Sequence, residues 1–483
     1  MTYDLLVIGG GINGAGIARD AAGRGLSVVL VEKADLGAAT SSASSKLIHG
    51  GLRYLEQFEF RLVAEALAER EVLLRVAGHL VWPARFVMPH VPALRPRWMI
   101  RTGLFLYDHL ARRASLPGSR AVPLDRPPFD SGLKRELRHG FAYSDCRVDD
   151  ARLVIANAMG ARELGATILT RTEVVSGQRD GPLWEVRLSS GTLKARAIVN
   201  AAGPWVKEVL SARLGQVSRD AVRLVKGSHI VVHRLYEGDH AFILQNDDRR
   251  VVFMIPYGDA HTLVGTTDVT EPAPGEPVAS ESEVEYLCRA VNHYLEKPVT
   301  PRDVVWRFAG VRPLHDDGSA DPSEVTRDYA LRVYDAEGQA PVLTIFGGKI
   351  TTYRRLAEEA VDKLGRYFPA MRPAWTARQP LPGSDFRGAT REQARDAFFA
   401  RFPRIPQAVL RSIFRRHGAY ADEVVGDGDL GEPYGAGLSE REVRYFRERE
   451  WARTPEDVLW RRTKAGLLMS DAQRARVAAA LAG

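Results

Sequence analysis

The chain has 483 residues, of which 45% are hydrophobic and 26% are charged, a composition typical of a globular protein with more than one domain. Its net charge of +7 and pI ≈ 9.3 suit anionic substrates or an anionic surface, but there is no basic tail or recognisable nucleic-acid module. We therefore expect no nucleic-acid partner.

The cysteines and the apolar segments restrict the class of protein further. Cys146 and Cys288 lie far apart in sequence, which excludes a disulfide framework, and we expect no metal site. No leader peptide precedes the first strand, and no uninterrupted apolar run is long enough to span a bilayer. These features predict a cytoplasmic protein.

The first 32 residues predict a strand, a glycine-rich turn, a helix and a second buried strand. Gly9, Gly11 and Gly14 form G-x-G-x-x-G, in which glycine permits a tight turn, close approach to a pyrophosphate and close packing of helix on strand. Glu32 ends the second strand, where a carboxylate can accept hydrogen bonds from a ribose hydroxyl. This unit predicts dinucleotide binding.

The glycine pattern alone does not distinguish NAD from FAD. The segment after Glu32, "KADLGAATSSASSKLIHGG", is small and polar and could follow an extended pyrophosphate towards a flavin ring. "NAAGPW" at 200–205 and "FGGKITT" at 346–352 add two more strand-to-loop glycine turns. Three such turns favour a long, buried cofactor, so we expect FAD.

Later segments alternate strands with turns and then become helical. Short strands are predicted from 170 to 200 and from 222 to 268, and they suggest an antiparallel sheet beside the parallel one. "RQPLPGSD" reads as a linker, and the remainder is helical in pattern and rich in arginine. The predicted fold class is α/β: a Rossmann-like FAD-binding domain interleaved with an antiparallel-sheet substrate domain over residues 1–378, and an α-helical C-terminal domain over 379–483.

Several blocks in this order resemble the FAD-dependent glycerol-3-phosphate dehydrogenases, especially the bacterial aerobic respiratory type. The more specific blocks are "HGGLRYLE", "KGSHIVV", "GVRPL" and "FGGKITTYR", supported by "YSDCRVDDARLV", "GTTD", "TRDY" and the C-terminal "DVLWRRTKAGL". The resemblance implies oxidation of sn-glycerol 3-phosphate to dihydroxyacetone phosphate, with electrons passing to FAD and then to membrane quinone. It also implies a homodimer attached peripherally to the inner face of the cell membrane, an anionic surface.

A phosphorylated alcohol requires cations for the phosphate and a group that takes the hydroxyl proton. Arg312, Arg327 and Lys349 lie at turns beside apolar strands and are the phosphate candidates, although a single arginine is more often a surface charge. His229 is the leading base candidate; without the resemblance it could equally be a histidine satisfied inside a sheet. Lys349 or Arg53 could instead contribute through a water.

The remaining assignments follow from the resemblance and from position. The substrate side comprises Arg53, Tyr54, His229, Arg312, Arg327, Lys349 and Thr352, and His229, Arg53 and Lys349 are the catalytic candidates. Cofactor contacts are expected from Gly9, Gly11, Asn13, Gly14, Glu32, Thr40, Ser41, Ser45, Lys46, Leu47, His49, Val174, Ala202, Gly203, Gly348 and Lys349.

The segment 95–113, "RPRWMIRTGLFLYDHLARR", mixes large apolar residues with flanking arginines. It could lie in a membrane interface, or it could be a buried helix between domains, which its broad apolar stripe favours. Two other functions also remain open: a flavin oxidase of the same fold that acts on an amine, and a flavin-binding regulator without turnover. The arginines at 312 and 327 argue against the amine.

Overall fold

A computed structural model of the chain describes residues 1–91, 96–112, 114–248, 250–316 and 328–482. The strands are β1 (Thr2–Ile8), β2 (Val28–Val31), β3 (Leu47–Ile48), β4 (Val81–Pro89), β5 (Arg120–Pro123), β6 (His139–Val148), β7 (Thr167–Leu169), β8 (Val174–Asp180), β9 (Leu183–Leu188), β10 (Gly191–Asn200), β11 (Val222–His233), β12 (Ala241–Gln245), β13 (Val251–Tyr257), β14 (His261–Gly265), β15 (Val269–Glu271), β16 (Val304–His315), β17 (Ala330–Tyr334), β18 (Val342–Phe346), β19 (Pro433–Gly435) and β20 (Leu438–Ser439). The α-helices are α1 (Ile12–Gly23), α2 (Phe60–Val76), α3 (Arg97–His109), α4 (Asp150–Glu163), α5 (Val206–Glu208), α6 (Glu281–Asn292), α7 (Tyr353–Lys363), α8 (Arg391–Arg401), α9 (Gln407–His417), α10 (Ala421–Val425), α11 (Glu440–Arg449) and α12 (Asp471–Ala482).

The first sheet has eight strands, with the order β17-β18-β10-β1-β2-β7 along its main path. From β18 to β7 the strands run parallel, as buried apolar runs joined through helices require. The chain leaves β1 towards β2 on one side and later returns as β10 on the other. The carboxyl end of β1 is therefore a topological switch point, where open α/β sheets bind ligands.

The strands between 170 and 200 were assigned to the wrong sheet from the sequence. β8 and β9 pair antiparallel with each other, and β9 pairs with the first half of β10. The second half of β10 runs parallel to β1, from Lys194 to Asn200. The alternating pattern shows that these segments are strands, but it does not show which partner each strand takes.

The second sheet has ten strands and is largely antiparallel. Its strand β11 lies between β14 and β16, with His229 opposite Gly265 on β14 and opposite Phe308 on β16. Ile230 faces a core cluster that includes residues of α6, whereas Val231 faces a cluster shared with α2, α3 and the loop after β3. His229 lies one residue before Ile230 and so points to the second of these faces.

The C-terminal region is helical, as expected, and also contains the short antiparallel pair β19 and β20. Its apolar side chains share one buried cluster with α1 and α4. Buried ion pairs join it to the rest of the chain, such as Arg152 with Glu450 and Arg462 with Asp35. The predicted fold class is confirmed, while the boundary at 378/379 stays a prediction.

One buried ion pair connects the two helices that follow the predicted site loops. Arg354 on α7 donates from Nε to Glu69 Oε2 at 2.8 Å and from Nη2 to Oε1 at 2.6 Å, and Glu69 lies on α2. Both residues are buried. The pair holds the loop before α7, which carries Lys349, against the segment before α2, which carries Arg53.

We predict that Arg354→Met destabilises the protein by about 3–5 kcal/mol, because it leaves the buried Glu69 carboxylate without its bidentate cation. The thermal unfolding midpoint measures the effect. Arg355→Met is the matched control, since Arg355 is half exposed and pairs with Glu359 on the same helix, a pair worth at most about 1 kcal/mol. Equal losses of stability in the two variants would contradict the assignment.

Candidate active site

The site begins at the carboxyl end of β1, where backbone segments approach too closely for side chains. A Cβ on Gly9 would lie 2.5 Å from the carbonyl oxygen of Ala201, at the end of β10. A Cβ on Gly14 would lie 1.9 Å from the carbonyl oxygen of Gly9. Gly9 also has φ +108°, which L-residues rarely adopt. Because no side chain covers this turn, the backbone N–H groups at the N-terminus of α1 can approach a pyrophosphate at the switch point.

Glu32 and Ser41 shape the surroundings of that helix N-terminus. Glu32 accepts hydrogen bonds from the backbone N–H of Gly10 at 2.7 Å and of Ala34 at 2.8 Å. Burial raises the pKa of Glu32, and these two N–H groups oppose that rise. Ser41 Oγ accepts from the N–H of Ile12 at 3.0 Å. The predicted ribose carboxylate is therefore fixed beside the glycine turn.

Asn13 and the loop after β18 form the next wall of the site. Asn13 Nδ2 donates to the carbonyl of Gly347, and a Cβ on Gly348 would lie 2.8 Å from that nitrogen. Asn13 Oδ1 is buried and has no hydrogen-bond partner among the described residues. A buried amide oxygen normally has a donor, so this atom fits a bound group that supplies one.

The cofactor loop predicted after Glu32 is held by a buried ion pair. Lys46 Nζ lies 2.6 Å from Asp150 Oδ2, at the start of α4, and the same oxygen accepts from Ser44 Oγ at 2.7 Å. Thr40 Oγ1 donates to the carbonyl of Val311 at 2.6 Å. Lys46 therefore anchors the loop through its side chain, and Thr40 ties the loop to β16.

The turn at Gly50 is fixed from the side of α3. Its N–H donates to the hydroxyl of Tyr107 at 2.9 Å, and that hydroxyl donates to Asp145 Oδ2 at 2.6 Å. Arg70 of α2 pairs with Asp145 Oδ1 at 2.7 Å. His49, one residue earlier, contacts Thr351 through its backbone. Burial lowers the pKa of His49, so its ring is neutral.

Arg53 and Tyr54 lie on the short 3₁₀ turn Leu52–Gln57 that follows Gly51. Lys349 Nζ lies 4.2 Å from the centre of the Tyr54 ring, a cation–π contact. Thr352, three residues after Lys349, is buried. The structure thus brings together the "HGGLRYLE" and "FGGKITT" segments, which lie far apart in sequence.

His229 is enclosed on both flat sides by its cross-strand neighbours. Its ring stacks on Phe308 with centroids 4.9 Å apart and an interplanar angle of 11°. On the other strand, a Cβ at Gly265 would lie 2.1 Å from His229 Cδ2. Nε2 lies 2.9 Å from Ser45 Oγ, while Nδ1 is buried and unpartnered within the described ranges. Burial, with Lys46 and Arg312 nearby, lowers the pKa of His229 well below its usual value, so the ring is neutral at pH 7.

Arg312 lies on β16, four residues after Phe308. Its guanidinium donates to Asp268, to Thr266 Oγ1 at 3.2 Å and to the carbonyl of Thr267 at 3.0 Å. These bonds use three of the five N–H donors of an arginine. The fork is therefore oriented by the loop after β14 and keeps donors for an anion.

The other predicted residues fall into three groups. Gly11, Ala202 and Gly203 lie at the switch point and Leu47 lies on β3, while their contacts with the cofactor stay predictions. Val174 begins β8 and belongs to the same buried cluster as Ile8 and Val31. Arg327 lies outside the described residues.

Sequence reasoning missed the groups that support the predicted ones. Phe308 orients His229, and Asp268 orients Arg312. Asp145 holds the turn at Gly50, and Asp150 holds Lys46. Trp306 and Phe308 alternate on a strand that ends in "GVRPL", which was a usable signal for an aromatic face near the site. The acidic groups gave no such signal, because their partners are far away in sequence.

The glycine-rich turn lies at a topological switch point, and the second sheet beside it carries the neutral imidazole of His229 and the oriented guanidinium of Arg312. These features are typical of a dinucleotide-binding redox enzyme. A family pattern for FAD dependent oxidoreductases matches residues 4–354, and one for the C-terminal domain of alpha-glycerophosphate oxidase matches residues 374–482. The chain belongs to this family of FAD-dependent oxidoreductases.

Individual relatives agree with that assignment. The chain is 53% identical to a glycerol-3-phosphate dehydrogenase of Pseudomonas aeruginosa, covering 98% of this chain and 94% of that one. It is 50% identical to a D-erythritol 1-phosphate dehydrogenase of Brucella abortus, covering 98% and 96%. The solved glycerol-3-phosphate dehydrogenase from Bacillus halodurans, complexed with FAD, has a TM-score of 0.74 at 26% identity, covering 100% and 94%. These comparisons confirm the family resemblance that the motifs indicated, and they confirm FAD as the cofactor.

We predict that Gly14→Ala abolishes most FAD binding, because the added Cβ would overlap the carbonyl oxygen of Gly9 and push α1 away from β1. The ratio of flavin to protein absorbance in the purified protein measures the loss. Gly103→Ala on α3 is the control, since no atom lies within 4 Å of its Cβ position. Full flavin content in Gly14→Ala would show that the turn tolerates displacement.

Proposed function

We propose that this protein oxidises sn-glycerol 3-phosphate to dihydroxyacetone phosphate with FAD as its cofactor. The carrying observation is that neutral His229 and oriented Arg312 lie on adjacent strands and are tied to the cofactor loop through Ser45 and Thr40. An imidazole that can accept a proton and a guanidinium that can bind phosphate match the two reactive ends of a phosphorylated alcohol.

The substrate phosphate would be held by arginine and lysine. Arg312 offers a planar fork whose orientation Asp268 already fixes, and the resemblance adds Arg327 and Lys349. Lys349 is positioned by the Tyr54 ring, and Arg53 lies one residue before that ring. These cations also stabilise negative charge that develops on the substrate oxygen.

The alcohol proton would reach His229 at Nε2. Nε2 lies 2.9 Å from Ser45 Oγ, and His229 is only 2% exposed, so the proton would pass to the imidazole through the Ser45 hydroxyl. A pKa held below the usual value keeps His229 ready to accept at neutral pH. Bound FAD supplies the hydride acceptor.

The relative named for D-erythritol 1-phosphate makes a longer phosphorylated alcohol the second candidate substrate. That molecule also has a phosphate and an alcohol, so His229 and Arg312 suit it equally. An amine substrate or a protein without turnover leaves the phosphate cations without a role.

Anaerobic bleaching of the flavin tests the proposal. We expect fast bleaching by sn-glycerol 3-phosphate, slower bleaching by D-erythritol 1-phosphate and almost none by glycerol. Arg312→Ala should weaken apparent binding of the phosphorylated substrate by about 1.5–3 kcal/mol, the range for hydrogen bonds to charged groups, with little effect on the residual rate with glycerol.

Arg307→Ala is the control for that variant, because Arg307 lies on the same strand and pairs with Glu281 at the surface. No bleaching by any phosphorylated alcohol would overturn the proposed function. Unchanged affinity in Arg312→Ala would overturn the phosphate assignment alone.

We also propose, on the resemblance, that quinone accepts the electrons, that the protein is a homodimer and that it attaches to the inner face of the cell membrane. Among the described residues, no helix is both long and apolar enough to cross a bilayer. One face of α3 is buried through Ile100, Leu104 and Tyr107, as expected for a buried helix, but the opposite face is exposed. Its outer face exposes Trp98 and Phe105 beside exposed arginines, which suits an anionic lipid surface.

We predict that Trp98→Ser/Phe105→Ser lowers co-sedimentation with vesicles containing anionic lipid several-fold, because it removes the apolar groups that would enter the interface. Val278→Ser is the control, since Val278 is 68% exposed, against 69% for Trp98. Binding that is unchanged in the double variant would exclude α3 as the contact.

A further inference from the structure

A row of four aromatic rings in contact leads from His229 to the C-terminal region. His229 stacks on Phe308, and Phe308 lies 4.7 Å from Trp306, measured between ring centroids. Trp306 stacks on Trp460 with centroids 4.7 Å apart and an interplanar angle of 23°. The first three rings belong to the second sheet, and the fourth comes from the segment Asp457–Arg462.

The end of this row is firmly anchored to the dinucleotide-binding part of the chain. Arg461 and Arg462 follow Trp460 directly, and both pair with Asp35, which is buried three residues after Glu32. Arg461 also pairs with Asp457, whose other oxygen lies 2.5 Å from Arg171. Trp460 therefore has little freedom to move relative to the first sheet.

His229 has few other contacts that fix the plane of its ring. Its Nε2 contact with Ser45 allows rotation about that bond, and Nδ1 has no partner within the described part of the chain. Gly265 packs closely on one side with backbone alone, so Phe308 is the side chain that stacks on the ring. Stacked rings prefer defined offsets, and fixing one ring of a row restricts the next.

We propose that Trp460 is a positioning residue for His229, acting through Trp306 and Phe308, so that docking of the C-terminal region sets the geometry of proton transfer. This inference rests on the role of His229 in the proposed function. Within the block "DVLWRRTKAGL", the two arginines hold the segment in place and the tryptophan closes the row of rings.

The polar and charged groups facing His229 come from two elements, the cofactor loop and β16. Ser45 and Lys46 belong to the cofactor loop before β3, and Lys46 is paired with Asp150. Arg312 on β16 is paired with Asp268, and Lys46 Nζ lies 5.0 Å from the centre of the Phe308 ring. Movement of Phe308 would therefore loosen the packing on His229 and admit water, which allows its pKa to rise towards the usual value.

The test uses the FAD-loaded protein with Trp460→Ala, Trp460→Leu and Trp460→Phe. Trp451→Ala is the matched control, since Trp451 lies in the same C-terminal region and contacts Arg162 outside the row. Histidine labelled with ¹³C at Cε1 gives the pKa of His229 by NMR, with its resonance assigned from His229→Gln. Anaerobic bleaching and the pH dependence of kcat/KM give the catalytic effect.

We expect Trp460→Ala and Trp460→Leu to raise the pKa of His229 and to slow bleaching roughly tenfold or more, as small misplacements of a reacting group do. The neutral imidazole is the active form, so the acid limb of the pH profile moves to higher pH. Trp460→Phe should recover most of both effects, and Trp451→Ala should show neither. Trp460→Leu keeps the proposal falsifiable if Trp460→Ala does not fold.

An unchanged pKa of His229 and an unchanged bleaching rate in Trp460→Leu would overturn the inference. The same shifts in Trp451→Ala would overturn it as well, because they would reflect general loosening of the C-terminal region. If the wild-type flavin is not bleached by sn-glycerol 3-phosphate while the pKa of His229 still follows Trp460, the proposed function fails and the positioning role stands.

Discussion

The close approach of backbone to backbone at the carboxyl end of β1 is the constraint on which the rest of the structure depends. Gly9 lies against Ala201 of the returning strand, and Gly14 lies against Gly9, at separations that exclude any Cβ. This contact fixes β10 beside β1 and seats the N-terminus of α1 over the crevice. The other walls of the site are placed relative to that edge, including the loop after β18 that reaches Asn13.

Buried charges then hold the loops that carry the chemistry. Lys46 with Asp150 joins the cofactor loop to α4. Arg70 of α2 pairs with Asp145 of β6, and Asp145 also accepts from the backbone N–H of Gly50 in the site loop. A buried ion pair is weak evidence for stability, because desolvation offsets much of the attraction, but removing one partner is strongly destabilising. Removing either partner of such a pair would leave a buried charge uncompensated, so an arrangement that separates Lys46 from Asp150 is disfavoured.

Local patterns were enough to predict the first strand–helix–strand unit and the cofactor class, whereas the assignment of His229 and Arg312 to one site came from the resemblance. They failed where the answer lies in a distant partner. β10 has the same alternating residues as a strand of the second sheet, yet its second half pairs with β1. The ion pair that Lys46 makes with Asp150 was not foreseen, and the expected contact of Lys46 with the cofactor stays a prediction. The segment containing Arg327 lies outside the described residues, so its predicted role remains a prediction.

The chemistry of the site indicates the class of substrate, a phosphorylated alcohol, but it does not distinguish one phosphorylated alcohol from another. A neutral imidazole and a cationic fork suit an alcohol and a phosphate, and relatives named for glycerol 3-phosphate and for D-erythritol 1-phosphate are similar to this chain over nearly its whole length. The two molecules differ by one hydroxylated carbon, and a site can reject the wrong one either by leaving buried polar groups unpaired or by the shape of its walls. Selectivity must therefore come from the walls around the far end of the substrate, not from His229 or Arg312.

The wall beside Lys349 is the ring of Tyr54, which is held against the ammonium group and seated over Gly51. A Cβ on Gly51 would lie 2.3 Å from two carbons of that ring, so the glycine is what allows the ring to lie there. On the proposed function, a ring in that position would limit the length of the alcohol by shape. The segment after Gly51 is therefore where a preference for the shorter substrate would be set.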